Sequence, residues 1–115
     1  MLWMVAHRRR NDRQGAHLAA GLAGYALGIT TSTILGSARG AHDVARARQV
    51  AMYLAHVGFG MSLARVADAF GRDRSTVAHG CRLVEDRRDD PEFDTWMETL
   101  EQGLVVLAPL NGEFI

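Results

Sequence analysis

A chain of 115 residues, 48% of them hydrophobic and only two of them proline, is one small globular domain able to close a single core without disulfides. The formal charge of zero argues against nucleic acid as a partner until its distribution is read: residues 1–49 carry seven arginines against two acids, residues 50–84 four against two, and residues 85–115 two against nine. All thirteen cations are arginine, so the absence of lysine excludes a G-x-x-x-x-G-K-[ST] phosphate loop, and the single cysteine, Cys81, excludes an internal disulfide and fits a reducing compartment.

Met1 to Gln14, MLWMVAHRRRNDRQ, has no sustained period and holds four arginines. Residues 1–16 therefore read as a flexible basic arm, solvated or touching phosphates. From Leu18 to Ala38 there are 21 residues without a charge, enough to cross a bilayer. Gly21, Gly24, Gly28 and Gly36, the run Thr30 to Thr33, and only six Leu or Ile weigh against insertion. They predict instead a helix over 17–27 closed near Gly28, then a short one begun by the hydroxyl cluster and ending near Gly36. Ser37 to Asp43 is a loop by composition, with Arg39 and His42 as its basic side chains. Val44 to Val57 reads as the longest regular helix, with Ala47, Val50, Ala51, Leu54 and Val57 on its buried face.

The chain is organised around Ser62 to Glu85. Leu63, Val66, Ala67 and Phe70 fall at i, i+3, i+4 and i+7 behind the natural N-cap Ser62, and Gly71 ends the helix. Val77, Cys81 and Val84 repeat the spacing on a second helix, with Asp73 placed to accept the backbone N–H groups of Ser75 and Thr76. This turns Arg74, Ser75, Thr76 and His79 outward, the layout of a helix-turn-helix whose second helix enters the major groove by its amino end. An ordinary helical hairpin with a solvated face has the same pattern. Cys81 is a packing residue on this reading.

After Glu85 the chain turns acidic. Pro91 opens a last helix capped by Asp90, with Phe93, Trp96, Met97 and Leu100 as its stripe and a carboxylate-rich face that belongs on the side remote from DNA. Gly103 is expected to close it, leaving residues 103–115 as an apolar tail. The five histidines show no i, i+4 ligand pair, and the run from Glu85 to Asp90 is a solvated connector, so neither catalysis nor a metal or other cofactor is expected.

The segment ARQVAMYLAHVGFGMSLARVADAFGRDRSTVAHG, Ala47 to Gly80, resembles the C-terminal DNA-binding domain of the bacterial replication initiator DnaA. The resemblance is carried by Arg48-Gln49 in an ARQ-x-A-M-Y-L helix, by Ser62-Leu63 opening and Ala69-Phe70-Gly71 closing the next, and by Arg72-Asp73-Arg74-Ser75-Thr76-Val77-x-His79. More loosely it extends from about Leu18 to about Gln102. It implies an all-α fold, a small multi-helix domain over residues 17–102 with a central helix-turn-helix. It implies double-stranded DNA as partner, at sites like the initiator's box, with no small-molecule substrate. Position by position, Arg39 would enter the minor groove. Arg48 and Gln49 would meet phosphates, Leu63 and Ala64 a thymine methyl, and Asp73, Arg74, Ser75 and Thr76 the major groove, with His79 and Arg82 facing the backbone a turn later.

The departures concern affinity and target. Arg74 stands where the family usually has histidine and prefers guanine O6 and N7, so the site read differs. Proline is absent at Ala64 and lysine at Leu83, one residue is missing between Phe70 and Asp73, and Asp43 stands where a cation is expected. Each lost phosphate contact lowers affinity. The resemblance extends to no ATPase module, which predicts a stand-alone, non-catalytic DNA binder, cytoplasmic and nucleoid-associated, regulating replication initiation or transcription. The competing expectation is a protein-interaction or membrane-tethered module that kept the fold and lost DNA binding. A reader this small has limited affinity, which makes a homodimer through the first helix or the 103–115 tail a candidate arrangement.

Overall fold

Small residues recur at helical spacing early in the chain: Gly15, Ala16, Ala19, Ala20, Ala23 and Gly24 are buried on one face together with Asp12. In the computed structural model, which describes residues 1–37 and 40–107, that face belongs to α1 (Leu2–Leu27). Residues 2–16, expected as a flexible arm, are thus the first half of a helix. The reason they escape a pattern reading is physical. Alanine and glycine make a narrow, weakly apolar stripe, and the carboxylate of Asp12 belongs to it only because Arg65, distant in sequence, donates from Nε at 3.0 Å and from a terminal nitrogen at 2.6 Å. At about 1.5 Å per residue a helix this long spans about 39 Å, comparable to the 43 Å long dimension of the molecule.

Helix α1 ends where predicted. Gly28 adopts a left-handed φ of 73° and the Ile29 N–H closes on the Gly24 carbonyl at 2.9 Å. The reversal is so tight that a Cβ on Gly24 would lie 2.2 Å from the Ile29 oxygen. Helix α2 (Thr31–Leu35) is capped by Thr30, whose Oγ1 accepts from the Thr33 N–H at 3.2 Å, and it inserts Ile34 into the core. The uncharged stretch is therefore divided between two helices, and among the described residues no helix is long and apolar enough to cross a membrane.

Helix α3 (His42–Tyr53) begins two residues before the expected start and runs into a π-helical turn, Leu54–Gly58. It is not the longest helix; α1 is. Ala47, Val50, Ala51 and Leu54 are buried as expected, whereas Val57 is 47% exposed. A π turn winds each residue through a smaller angle than an α turn, so the position that would face inward is rotated out. Helix α4 (Leu63–Phe70) is capped by Ser62 Oγ, which accepts from the Arg65 N–H at 3.2 Å. It closes at Gly71, where the Arg72 and Gly71 N–H groups bond the Ala67 and Asp68 carbonyls, a Schellman motif.

Helix α5 (Arg74–Arg87) buries Val77, Gly80, Cys81 and Val84. Burial of the Cys81 thiol raises its pKa from 9.0 to about 11, the behaviour of a packing residue. Helix α6 (Pro91–Leu107) starts at Pro91, with Asp90 Oδ1 accepting from the Glu92 N–H at 3.1 Å. It does not stop at Gly103, because that glycine packs against α1: a Cβ there would meet Leu22 at 3.3 Å. The tail from residue 108 lies outside the described residues. These six α-helices, with no strand among the described residues, enclose one core in which α1 packs on α3 and α4, α3 on α5, and α6 on α1 and the π turn.

Arg88 ties the last helix down. It donates from Nε to Asp94 at 2.6 Å and from one terminal nitrogen to Glu101 at 2.9 Å and Tyr53 Oη at 3.2 Å. Burial works against its charge, but the hydrogen bonds to Asp94, Tyr53 and Glu101 outweigh it and hold its pKa above the ordinary arginine value. Tyr53 Oη donates in turn to Glu85 at 2.5 Å, and burial followed by that bond pushes the phenol up to about 12.

Candidate nucleic-acid interface

The amino end of α5 is presented outward. Arg74, Ser75, Thr76 and His79 are exposed, and Arg82 is exposed one turn further along. The first intrahelical bond runs from the Val77 N–H to the Asp73 carbonyl at 3.1 Å, so the N–H groups of Arg74, Ser75 and Thr76 precede the helical ladder. Asp73 is the N-cap residue by position, with extended φ and ψ of −69° and 147°, but its side chain makes no capping bond. The expected contact to Ser75 and Thr76 is absent, and Asp73 lines the adjacent cleft. Ser75, His79 and Arg82 fall at i, i+4 and i+7, so they share a face of the helix.

That cleft, about 630 Å³, lies between Ser37, Gly40 and Ala41, the first turns of α3 and the α4–α5 turn. It gathers Arg48, Gln49, Asp73, Thr76 and His79 from the expected set, together with His42 and Arg72. Gly80 lets α3 and α5 approach closely enough to form it, since a Cβ there would stand 3.2 Å from Gln49 Cγ and 3.3 Å from Met52 Cε. Leu63 and Ala64 lie apart from the cleft at the start of α4, half-buried and exposed respectively. Arg39 falls outside the described residues; its neighbour Gly40 has a φ of 70° and would place a Cβ 2.9 Å from Val44 Cβ.

Arg48 does not stand as an outward phosphate contact. It is 6% exposed, and its guanidinium donates to the carbonyls of Ile34 at 2.8 Å, Thr33 at 3.1 Å and Gly36 at 3.4 Å. Those carbonyls lie at the end of α2, where Thr33 also accepts from the Gly36 N–H at 3.3 Å, so Arg48 caps that helix from outside. Burial, and then the nearby charge of Arg72, lower its pKa. Arg72, which sequence reasoning left without a role, donates to the Gly36 carbonyl at 2.7 Å and the Phe70 carbonyl at 3.1 Å. The contact to Gly36 joins residues 36 apart in the chain, and no local pattern reports such a pairing.

A short helix, a glycine turn and a second helix with an exposed amino end, set in an all-α domain, define a helix-turn-helix protein. Residues 25–84 match the family described as bacterial dnaA protein helix-turn-helix, and the chain belongs to that family. Among similar proteins is the chromosomal replication initiator protein DnaA of Laribacter hongkongensis, 43% identical over 70 residues, covering 59% of this chain and 15% of that protein. That of Deinococcus radiodurans is 40% identical over 78 residues, 67% of this chain and 16% of the relative. A protein of the same name in Synechococcus is 35% identical over 83 residues, 70% and 18%. The chain thus spans less than a fifth of the length of these relatives. A solved structure titled as a DNA replication initiation factor superposes with a TM-score of 0.74 at 27% identity, covering 86% of this chain and 30% of the other.

Proposed function

We propose that the chain binds double-stranded DNA sequence-specifically through α5, in the cytoplasm on the nucleoid, and regulates replication initiation or transcription without catalysis of its own. The observation that carries this reading is the exposed amino end of α5. There one guanidinium and two hydroxyls stand beside a cleft lined by Gln49, Thr76 and His79, so base-edge and phosphate contacts are made from adjoining surfaces. Arg74 is the base reader, with Asp73, Ser75 and Thr76 beside it and Leu63 and Ala64 as apolar contacts. Gln49, His79 and Arg82 meet phosphates, Arg39 the minor groove, and Arg48 acts behind the surface by holding α2. Membership of the DnaA helix-turn-helix family supports replication sites as targets. The arginine at position 74 favours a guanine where the family's box is read otherwise.

Selection of bound sequences from a random duplex pool, followed by a salt titration on the recovered site, tests the reading. A recovered motif with log K falling by about 0.9 per phosphate contact against log salt is expected; no motif and a slope near zero would remove it. A second reading is favoured by Leu2, Trp3 and Met4, which are 64–88% exposed, and by Val105 to Leu107 at the end of α6. These side chains suit a protein contact, including a homodimer.

A further inference from the structure

Arg74 and Arg87 are the first and last residues of the 14-residue helix α5, about 20 Å apart at about 1.5 Å per residue. The far end, away from the base-reading turn, helps to enclose a second hollow of about 200 Å³ with the end of α1, with α3 and with the first turns of α6. Leu27, Ile29 and Val50 give it an aliphatic wall. Phe93 and Trp96, half-buried on the apolar stripe of α6, give it an aromatic one, their ring centroids 5.6 Å apart.

Two guanidinium groups form its rim. Arg46 and Arg87 line both this pocket and the neighbouring cleft along α3 and α5, so they stand where the two meet. Arg87 lies over the Phe93 ring at 4.0 Å. Burial, and then the charge of Arg46, lower its pKa, with Asp90 opposing them. Among the described residues neither arginine is ion-paired with a carboxylate. The acids closest to the rim are engaged with backbone, Asp43 accepting from the Val44 N–H at 2.9 Å and Asp90 from the Glu92 N–H at 3.1 Å. Two like charges held together beside an apolar hollow cost the isolated chain energy that an anion on a partner removes.

We propose that this pocket docks an acidic segment of another protein, one aromatic or leucine side chain filling the hollow against Trp96 and a neighbouring carboxylate held by Arg46 and Arg87. The volume decides against a free small molecule, whose sites run to about 300–1,000 Å³, and matches a single anchor side chain. A nucleic-acid base needs an open ring face on which to stack, and Arg87 already covers one face of Phe93. A carboxylate, by contrast, meets the planar fork of a guanidinium with two parallel hydrogen bonds. The site stands independently of DNA binding, since it lies at the opposite end of α5 from Arg74.

The probe is a library of random short peptides displayed on phage and selected on the whole chain. Enrichment of sequences that pair an acid with an aromatic or leucine is expected. A synthetic peptide of the selected sequence should shift Trp96 emission in a Trp3→Phe background, where Trp96 is the one tryptophan left. Arg46→Gln and Arg87→Gln, both at exposed positions, are each expected to weaken that peptide about tenfold, with helix content and duplex affinity unchanged. No enrichment, enrichment of peptides without acids, or equal binding by both variants overturns the site. Quenching of Trp96 by oligothymidylate that both variants lose makes the pocket a nucleic-acid subsite, and self-association that both lose makes its occupant a second copy. Either result overturns the acidic partner and leaves the duplex-binding reading untouched.

Discussion

On the scaffold side of the helix-turn-helix, arginine side chains end on the protein: Arg65 on Asp12, Arg72 on the Gly36 and Phe70 carbonyls, Arg88 on Asp94, Glu101 and Tyr53. On the outward face of α5, Arg74 and Arg82 stand exposed with Ser75, Thr76 and His79. The same residue type does opposite work on the two sides, and composition alone does not separate them. The scaffold arginines spend their donors on the fold, Arg65 and Arg88 on carboxylates and Arg72 on backbone carbonyls. The outward ones keep their donors available for a partner. An arginine count therefore overstates the positive surface that nucleic acid can meet.

Substitutions can break this division at either side. The largest effect is expected from Gly24→Ala, where the new Cβ would lie 2.2 Å from the Ile29 backbone oxygen. A loss of about 3 kcal/mol or more is expected by urea denaturation, with the selected-site affinity of the remaining folded fraction unchanged. Arg65→Ala leaves the Asp12 carboxylate, 7% exposed, without its bidentate partner. Because Arg65 itself is 36% exposed, the expected loss is about 2 kcal/mol, short of the about 3–5 kcal/mol for a wholly buried pair. If that variant melted like wild type, α1 would not be held to α4 through this pair.

Arg74→Ala should do the converse. It is expected to weaken the selected site by about 1–3 kcal/mol and relax preference at one base pair, while thermal stability stays put. Equal losses on specific and random duplex would show that Arg74 meets phosphate only. Alkaline titration sharpens the scaffold side. The folded pKa of Cys81 is raised from 9.0 to about 11 and that of Tyr53 from 10.0 to about 12, both first of all by burial. Stability is thus full below pH 9 and is lost as pH rises through these folded values. Melting temperature is expected to fall steadily over that range, and less steeply in Cys81→Ala. The smallest effect is expected from Arg82→Ala, which should weaken all duplexes alike and reduce the salt slope by about one.

The helix-turn-helix was legible from the residues because its determinants are local. Ser62 caps the helix three residues downstream, Gly71 supplies the left-handed φ of 64°, and the stripe of Val66, Ala67 and Phe70 and that of Val77, Cys81 and Val84 are strong at helical spacing. The outward direction of Arg74, Ser75, Thr76 and His79 follows from those stripes, because whatever does not face the core at 3.6 residues per turn must face away from it. Three things were decided only when the chain closed on itself. Helix α1 buries Asp12 because it meets Arg65, and Gly103 lies inside α6 with Leu22 of α1 against it. Arg48, an outward residue by analogy, turns inward because the end of α2 offers it the Ile34 and Thr33 carbonyls. Spacing along a sequence reports which face a residue occupies. Which acceptor a long, flexible guanidinium reaches is set by neighbours brought together across the fold.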